Sequence, residues 1–226
     1  MITGLIVAAG KGERMANREG KQFVDLNGAP ILSYSLRAFE QADKIDKIVL
    51  VVNENDIGKA KKLAEELALT KLYEVTAGGK ERQDSVFLGL TASPSETDIV
   101  AIHDGARPLV TPELINQAIE ELDGDGLVTA VPVKDTIKQV SGGFVETTFK
   151  REELVAAQTP QVFKAKPLIE AHNIARTFDF YATDDAALME KQKYIIRVIQ
   201  GNEENIKITT PADLEMAEIL LKRRRV

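Results

Sequence analysis

The residues best suited to chemistry cluster early in the chain. Ala8-Ala9-Gly10-Lys11-Gly12-Glu13-Arg14-Met15 is followed closely by Lys21. Small residues let backbone N–H groups come close to an anion. Arg14 can grip phosphate with two donors, and Lys21 adds a mobile point charge. The loop is not a Walker motif, because Lys11 precedes Gly12 rather than Ser or Thr. It also departs from the dinucleotide fingerprint, since Met15 stands at the third glycine position. Taken alone, it fits either a phosphate site or a tight strand-to-helix turn.

A second candidate is Asp104, just past an apolar stretch that reads as a strand. A carboxylate at that edge of an open α/β sheet can hold a divalent ion or a polyol hydroxyl. The pattern does not separate these roles. The chain has no Cys and only two histidines, His103 and His172. That argues against thiolate nucleophiles, zinc hydrolases and histidine triads. His103 reads as a hydrogen-bonded histidine at the core edge.

The elements that must position these residues follow from hydrophobic pattern. Ile2 to Ala8 reads as a buried strand, 45–52 as a strand with a strongly apolar end, Leu72 to Ala77 as a short strand, and 98–102 and 127–133 as further strands. Segments 30–39, 56–67, 83–90 and 112–122 show helical spacing between them. The alternation predicts a three-layer α/β fold with a mostly parallel sheet. Residues 134–150 break the rhythm, with two extended stretches around Ser141-Gly142-Gly143. This predicts an inserted β-hairpin arm, packed either on its own domain or on a partner subunit. Beyond it, 166–175 reads as a helix, Thr183 as the N-cap of a helix reaching about Lys191, and 194–199 and 205–208 as strands. Thr210-Pro211-Ala212-Asp213 has the cap pattern of a final helix. No linker divides residues 1–226, so a single domain is expected.

Bulk composition sets limits. Hydrophobic residues are 44% and charged residues 28%, the balance of a folded chain. A net charge of -6 disfavours non-specific nucleic-acid binding. The dense basic run Lys222 to Arg225 reads as a solvated helix end. Leu5 to Ala9 is too short to span a membrane and lacks a basic leader. The expected location is the cytoplasm.

Further blocks extend the pattern. They are Lys21-Gln22-Phe23, 78–86 (Gly-Gly-Lys-Glu-Arg-Gln-Asp-Ser-Val), 103–108 (His-Asp-Gly-Ala-Arg-Pro) and 131–136 (Val-Pro-Val-Lys-Asp-Thr), then 157–161 (Ala-Gln-Thr-Pro-Gln), Thr183-Asp184-Asp185 and 205–209 (Asn-Ile-Lys-Ile-Thr). In this order they resemble the 2-C-methyl-D-erythritol 4-phosphate cytidylyltransferase family over nearly the whole chain. Two departures are visible: Gly105, where the family often has Ala, and Val155, where it often has Trp. Neither alters a charged candidate.

The resemblance implies a Rossmann-like nucleotidyltransferase. It would transfer the cytidylyl group of CTP to 2-C-methyl-D-erythritol 4-phosphate, with a divalent ion, usually Mg²⁺. A phosphate monoester has a second pKa of about 6, so it needs no strong base to attack. It implies that Arg14 and Lys21 stabilise the transition state at the triphosphate, while Lys207 and Arg151 place the attacking phosphate. It places Ala8, Ala9, Gly10, Gly12, Gly79, Arg82 and Ser85 around CTP. Asp104, Arg107, Thr136, Thr159 and Thr183 fall near the substrate or, for Asp104, the metal. It further implies a homodimer in which the arm carries Thr136 and Arg151 toward the other subunit's Lys21. The rival readings are a ribitol 5-phosphate cytidylyltransferase, a nucleotide-sugar transferase and a non-catalytic nucleotide-binding protein.

Overall fold

The computed structural model describes residues 1–10 and 20–224. Lys11, Gly12, Arg14 and Arg225, all named in the sequence reading, lie outside the described residues. The first strand, β1 (Ile2–Ala8), is buried almost throughout because it lies mid-sheet. It leads to a small antiparallel corner, β2 (Asp25–Leu26) and β3 (Ala29–Pro30), and then to α1 (Ile31–Gln41). β4 (Lys47–Val52), α2 (Ile57–Glu66), β5 (Leu72–Ala77), α3 (Arg82–Thr91), β6 (Ile99–Asp104), α4 (Pro112–Glu120) and β7 (Gly126–Pro132) follow in alternation. The arm is β8 (Lys138–Ser141) and β9 (Phe144–Thr148). β10 (Val155–Lys164), α5 (Ala165–Thr177), α6 (Asp185–Lys191), β11 (Ile196–Gln200) and α7 (Pro211–Arg224) complete the chain.

Seven strands form one sheet in the order β11-β7-β10-β6-β1-β4-β5. All neighbours pair in parallel except β10, which runs against both β6 and β7. Strand residues alternate between two apolar layers. Ile6, Ile48, Leu50 and Val52 face Leu36 and Phe39 of α1, Leu63 of α2 and Ile115 of α4. Leu5, Val7, Val49 and Val51 face Val86 of α3, Leu168 of α5 and Met189 of α6. This is the expected three-layer arrangement. β1 lies between β4 and β6, so the chain turns outward on both sides of it. The crevice at the carboxyl ends of β1 and β6 is therefore a topological switch point, the usual ligand edge of such sheets.

Several local expectations needed correction. The ten-residue β10 was not foreseen. Residues 205–208 form no strand: Ile208 N donates to Ala106 O, a single tie rather than a ladder. The cap of α6 is Asp184 and not Thr183, since the Asp184 side chain accepts from Ala187 N at 3.0 Å. The arm pairs only with itself, and every residue of β8 and β9 is exposed.

Candidate active site

The candidate phosphate loop begins where β1 ends, at Ala8, Ala9 and Gly10. It is met by the turn after β5. A Cβ on Gly78 would fall 2.3 Å from Ala9 Cβ, so only glycine lets the two loops close together. Gly79 N donates to Ser85 Oγ at 3.1 Å, and that hydroxyl donates to Glu81 O at 3.1 Å. Ser85 thus shapes the turn that presents Gly79. Lys21 opens a short 3-10 turn, Lys21–Phe23, and is half-buried.

Asp104 ends β6 in the switch-point crevice. Its Oδ1 accepts from Arg82 Nε at 3.0 Å, and its Oδ2 accepts from Lys207 Nζ at 2.6 Å. Burial alone would raise the Asp104 pKa. The Arg82 and Lys207 charges outweigh that effect and hold it well below the usual carboxylate range. Arg82 also donates through Nη1 to Asp185 Oδ2 at 2.7 Å. Burial opposes the Arg82 charge, but the two carboxylates outweigh it and raise the guanidinium pKa further.

Lys207 comes from the loop that was expected to be a strand. That loop is fixed by Asn205, which is completely buried. Asn205 Nδ2 donates to Thr159 O at 2.8 Å, and Asn205 O accepts from Arg107 Nη1 at 2.7 Å. Thr159 is buried between strands, where its Oγ1 accepts from Asp104 N at 3.1 Å and lies 3.0 Å from His103 Nδ1. His103 Nε2 lies 3.2 Å from Arg107 O. Burial pushes the His103 pKa down to about 4, so the ring is neutral at neutral pH and both nitrogens are engaged. It holds the strand edge and supplies no mobile proton.

The structure therefore gathers Arg82, Asp104, Arg107, Thr159 and Lys207 beside Gly79 and Ser85. It leaves Thr136, Arg151 and Thr183 exposed at the surface. Arg151 donates to Lys134 O at 3.0 Å, at the root of the arm. Asp185 and Asn205 stood in quoted sequence blocks without a role. Their partners lie far away in the chain, so no local spacing signalled them. Arg82, Arg107 and Lys207 share this crevice with Asp104, and Asp185 lies buried behind Arg82, a local positive excess on an acidic chain. It suits an anionic ligand and offers no strong base.

The sequence model of a family described as 2-C-methyl-D-erythritol 4-phosphate cytidylyltransferase matches residues 2–223. The chain belongs to that family. A cytidylyltransferase of this name from Halalkalibacterium halodurans is 46% identical over 224 residues, covering 98% of each chain. One from Dehalococcoides mccartyi is 47% identical, covering 99% of this chain and 97% of the relative. A solved 4-diphosphocytidyl-2C-methyl-D-erythritol synthase from Anaerococcus prevotii superposes with a TM-score of 0.89 at 31% identity, covering 99% of this chain and 96% of that one. The corresponding cytidylyltransferase structure from Thermus thermophilus gives 0.77 at 28% identity, covering 96% and 98%. The chain is thus a CTP-dependent cytidylyltransferase. It joins CTP to 2-C-methyl-D-erythritol 4-phosphate, giving 4-diphosphocytidyl-2-C-methyl-D-erythritol and pyrophosphate. Among the described residues, no helix is long and apolar enough to cross a membrane.

Proposed function

We propose that this reaction takes place in the switch-point crevice, with the roles divided between its two banks. The single observation that carries the reading is Asp104 bridging Arg82 and Lys207 beside the phosphate loop. On one bank, Ala8, Ala9, Gly10 and Gly12, with Gly79, Arg82 and Ser85, receive CTP. Arg14 and Lys21 neutralise the charge that builds at the α-phosphate. On the other bank, Lys207 and Arg151 hold the attacking phosphate, with Arg107, Thr136, Thr159 and Thr183 around the polyol. Both reactants are anions, so bringing them into line and screening their repulsion is the main catalytic task.

A magnesium ion fits this donor set in a limited way. Among the described residues, no group of three or more His, Cys, Asp or Glu side chains gathers to hold one. Asp104 is the carboxylate in reach, and both its oxygens already accept from cations. One carboxylate suffices for Mg²⁺ that brings nucleotide phosphates and water as its other ligands. Bound there, the ion would neutralise phosphate charge. The protein's own part is to hold Arg82 and Lys207 against Asp104 until the substrates arrive.

The active species is a homodimer joined through the arm. Phe144 is 79% exposed, with Val140 and Val145 exposed beside it. Apolar side chains gathered on a two-stranded ribbon suit burial against a second copy. Residues 1–226 act as one cytidylyltransferase domain with the arm at about 134–150, in the cytoplasm where CTP is available.

The test is a Mg²⁺-dependent turnover panel of CTP, UTP, ATP and GTP against 2-C-methyl-D-erythritol 4-phosphate and ribitol 5-phosphate. CTP with the methylerythritol phosphate is expected to lead. Preference for ribitol phosphate would move the chain to that rival activity. CTP binding without pyrophosphate release would make it a non-catalytic binder. Lys21→Ala is expected to cut kcat about a hundredfold with an unchanged melting curve. Near-normal turnover would remove Lys21 from the catalytic group.

A further inference from the structure

Two buried groups behind the crevice have no part in the chemistry above. His172 on α5 is completely buried, and Asp185, the first residue of α6, is 1% exposed. A carboxylate so deep in a protein needs partners. Asp185 Oδ2 takes Arg82 Nη1 at 2.7 Å. Asp185 Oδ1 lies 3.3 Å from His172 Nε2, close enough for electrostatic attraction but outside hydrogen-bond geometry. A ring lone pair facing a carboxylate oxygen would repel it, so His172 Nε2 carries a hydrogen toward Asp185. Burial alone would raise the Asp185 pKa, and the Arg82 charge together with His172 lowers it instead.

The start of α6 is itself anchored. Gln161 Nε2 donates to Asp184 Oδ2 at 2.7 Å, and Ala186 N donates to Gln161 Oε1 at 3.4 Å. Gln161 of β10 therefore anchors the residues on either side of Asp185, and His172 faces its Oδ1 from α5. Arg82 is gripped in turn by two carboxylates, Asp104 at Nε and Asp185 at Nη1. A planar guanidinium held at one nitrogen can still swivel, but held at two it cannot. A polar chain runs from α5 to the crevice: His172, Asp185, Arg82, Asp104, Lys207, its first link electrostatic and the others hydrogen bonds.

We infer that His172 and Asp185 are positioning residues for cytidylyl transfer, fixing the plane of the Arg82 guanidinium that CTP meets. The inference rests on the reading of Arg82 as a CTP-site residue. His172→Phe keeps a ring and removes its nitrogens, while Asp185→Asn keeps the shape and removes the charge. Each is expected to raise the KM for CTP about tenfold and to leave the KM for the polyol phosphate unchanged. His172→Gln, which can still aim an N–H at Asp185, is expected to restore the CTP value. On an Arg82→Gln background, His172→Phe should add nothing further, because its route to the nucleotide is already cut. A parental KM for CTP in both His172→Phe and Asp185→Asn would overturn the inference. So would an equal rise in both KM values, or full additivity on the Arg82→Gln background. A parental KM for CTP in Arg82→Gln itself would instead overturn the CTP-site reading of Arg82.

Discussion

His103 and Asp104 are neighbours on β6 in opposite electrical states. Asp104 turns into a cationic crevice and keeps its charge, whereas His103 turns into the core and loses it. The unfolded imidazole titrates at about 6.5 and the unfolded aspartate at about 3.9. Both folded values are depressed, so each group's stabilising effect is complete above its unfolded value and fades as pH falls. For His103 the loss begins below about 6.5, because the unfolded chain takes up a proton that the folded chain refuses. It ends at about 4, where the folded ring is protonated too. The Asp104 loss starts only below about 3.9. Urea unfolding across this range should show the two windows in succession. His103→Gln is expected to flatten the first window and leave the second. An unchanged slope between pH 6.5 and 4 would mean that His103 is not held neutral. The sequence disclosed the place of Asp104 at a strand end. It did not disclose Lys207 as its partner, because the two lie 103 residues apart and meet only through the fold.

At the level of elements, legibility followed local signal. β1 has the bounds its apolar run predicted, since a buried parallel strand is written in consecutive residues. β5 also keeps its expected bounds, although it is an edge strand with only Val75 buried. β10 was hidden because Gln158, Thr159 and Pro160 interrupt its apolar pattern, and Pro160 has no N–H for a ladder. The structure accommodates them by shifting the register between Ala157 and Gln161. The loop at 205–208 read as a strand because its Ile residues alternate, yet its pairing is spent on Ala106, Arg107 and Thr159. The arm was visible as an interruption but its partner was not. Within one chain its side chains are exposed, so Phe144→Ser should change monomer stability by no more than about 0.5 kcal/mol. In a dimer the same change removes a buried ring. Sedimentation should then show weaker association and assays lower turnover, with the melt of the isolated chain intact. Unaltered association would free the arm from an assembly role.

Across the whole molecule, an acidic chain gathers Arg82, Arg107 and Lys207 at one sheet edge, the proposed place of cytidylyl transfer. The three layers make that edge rigid, and the single reversed strand brings the arm's root to it. The chain leaves β9, passes Arg151 and enters β10 toward Thr159 without a break. If, as the family resemblance implies, the arm carries Arg151 toward the other subunit's Lys21, the two copies would be genetically complementary. Chains carrying Lys21→Ala and chains carrying Arg151→Ala are each expected to be inactive as pure dimers. Mixed and allowed to exchange, half of the dimers become hybrids, in which one crevice collects both lesions and the other escapes both. About one quarter of the parental activity should return. A mixture as inactive as its components would place Lys21 and Arg151 of each working site on the same chain.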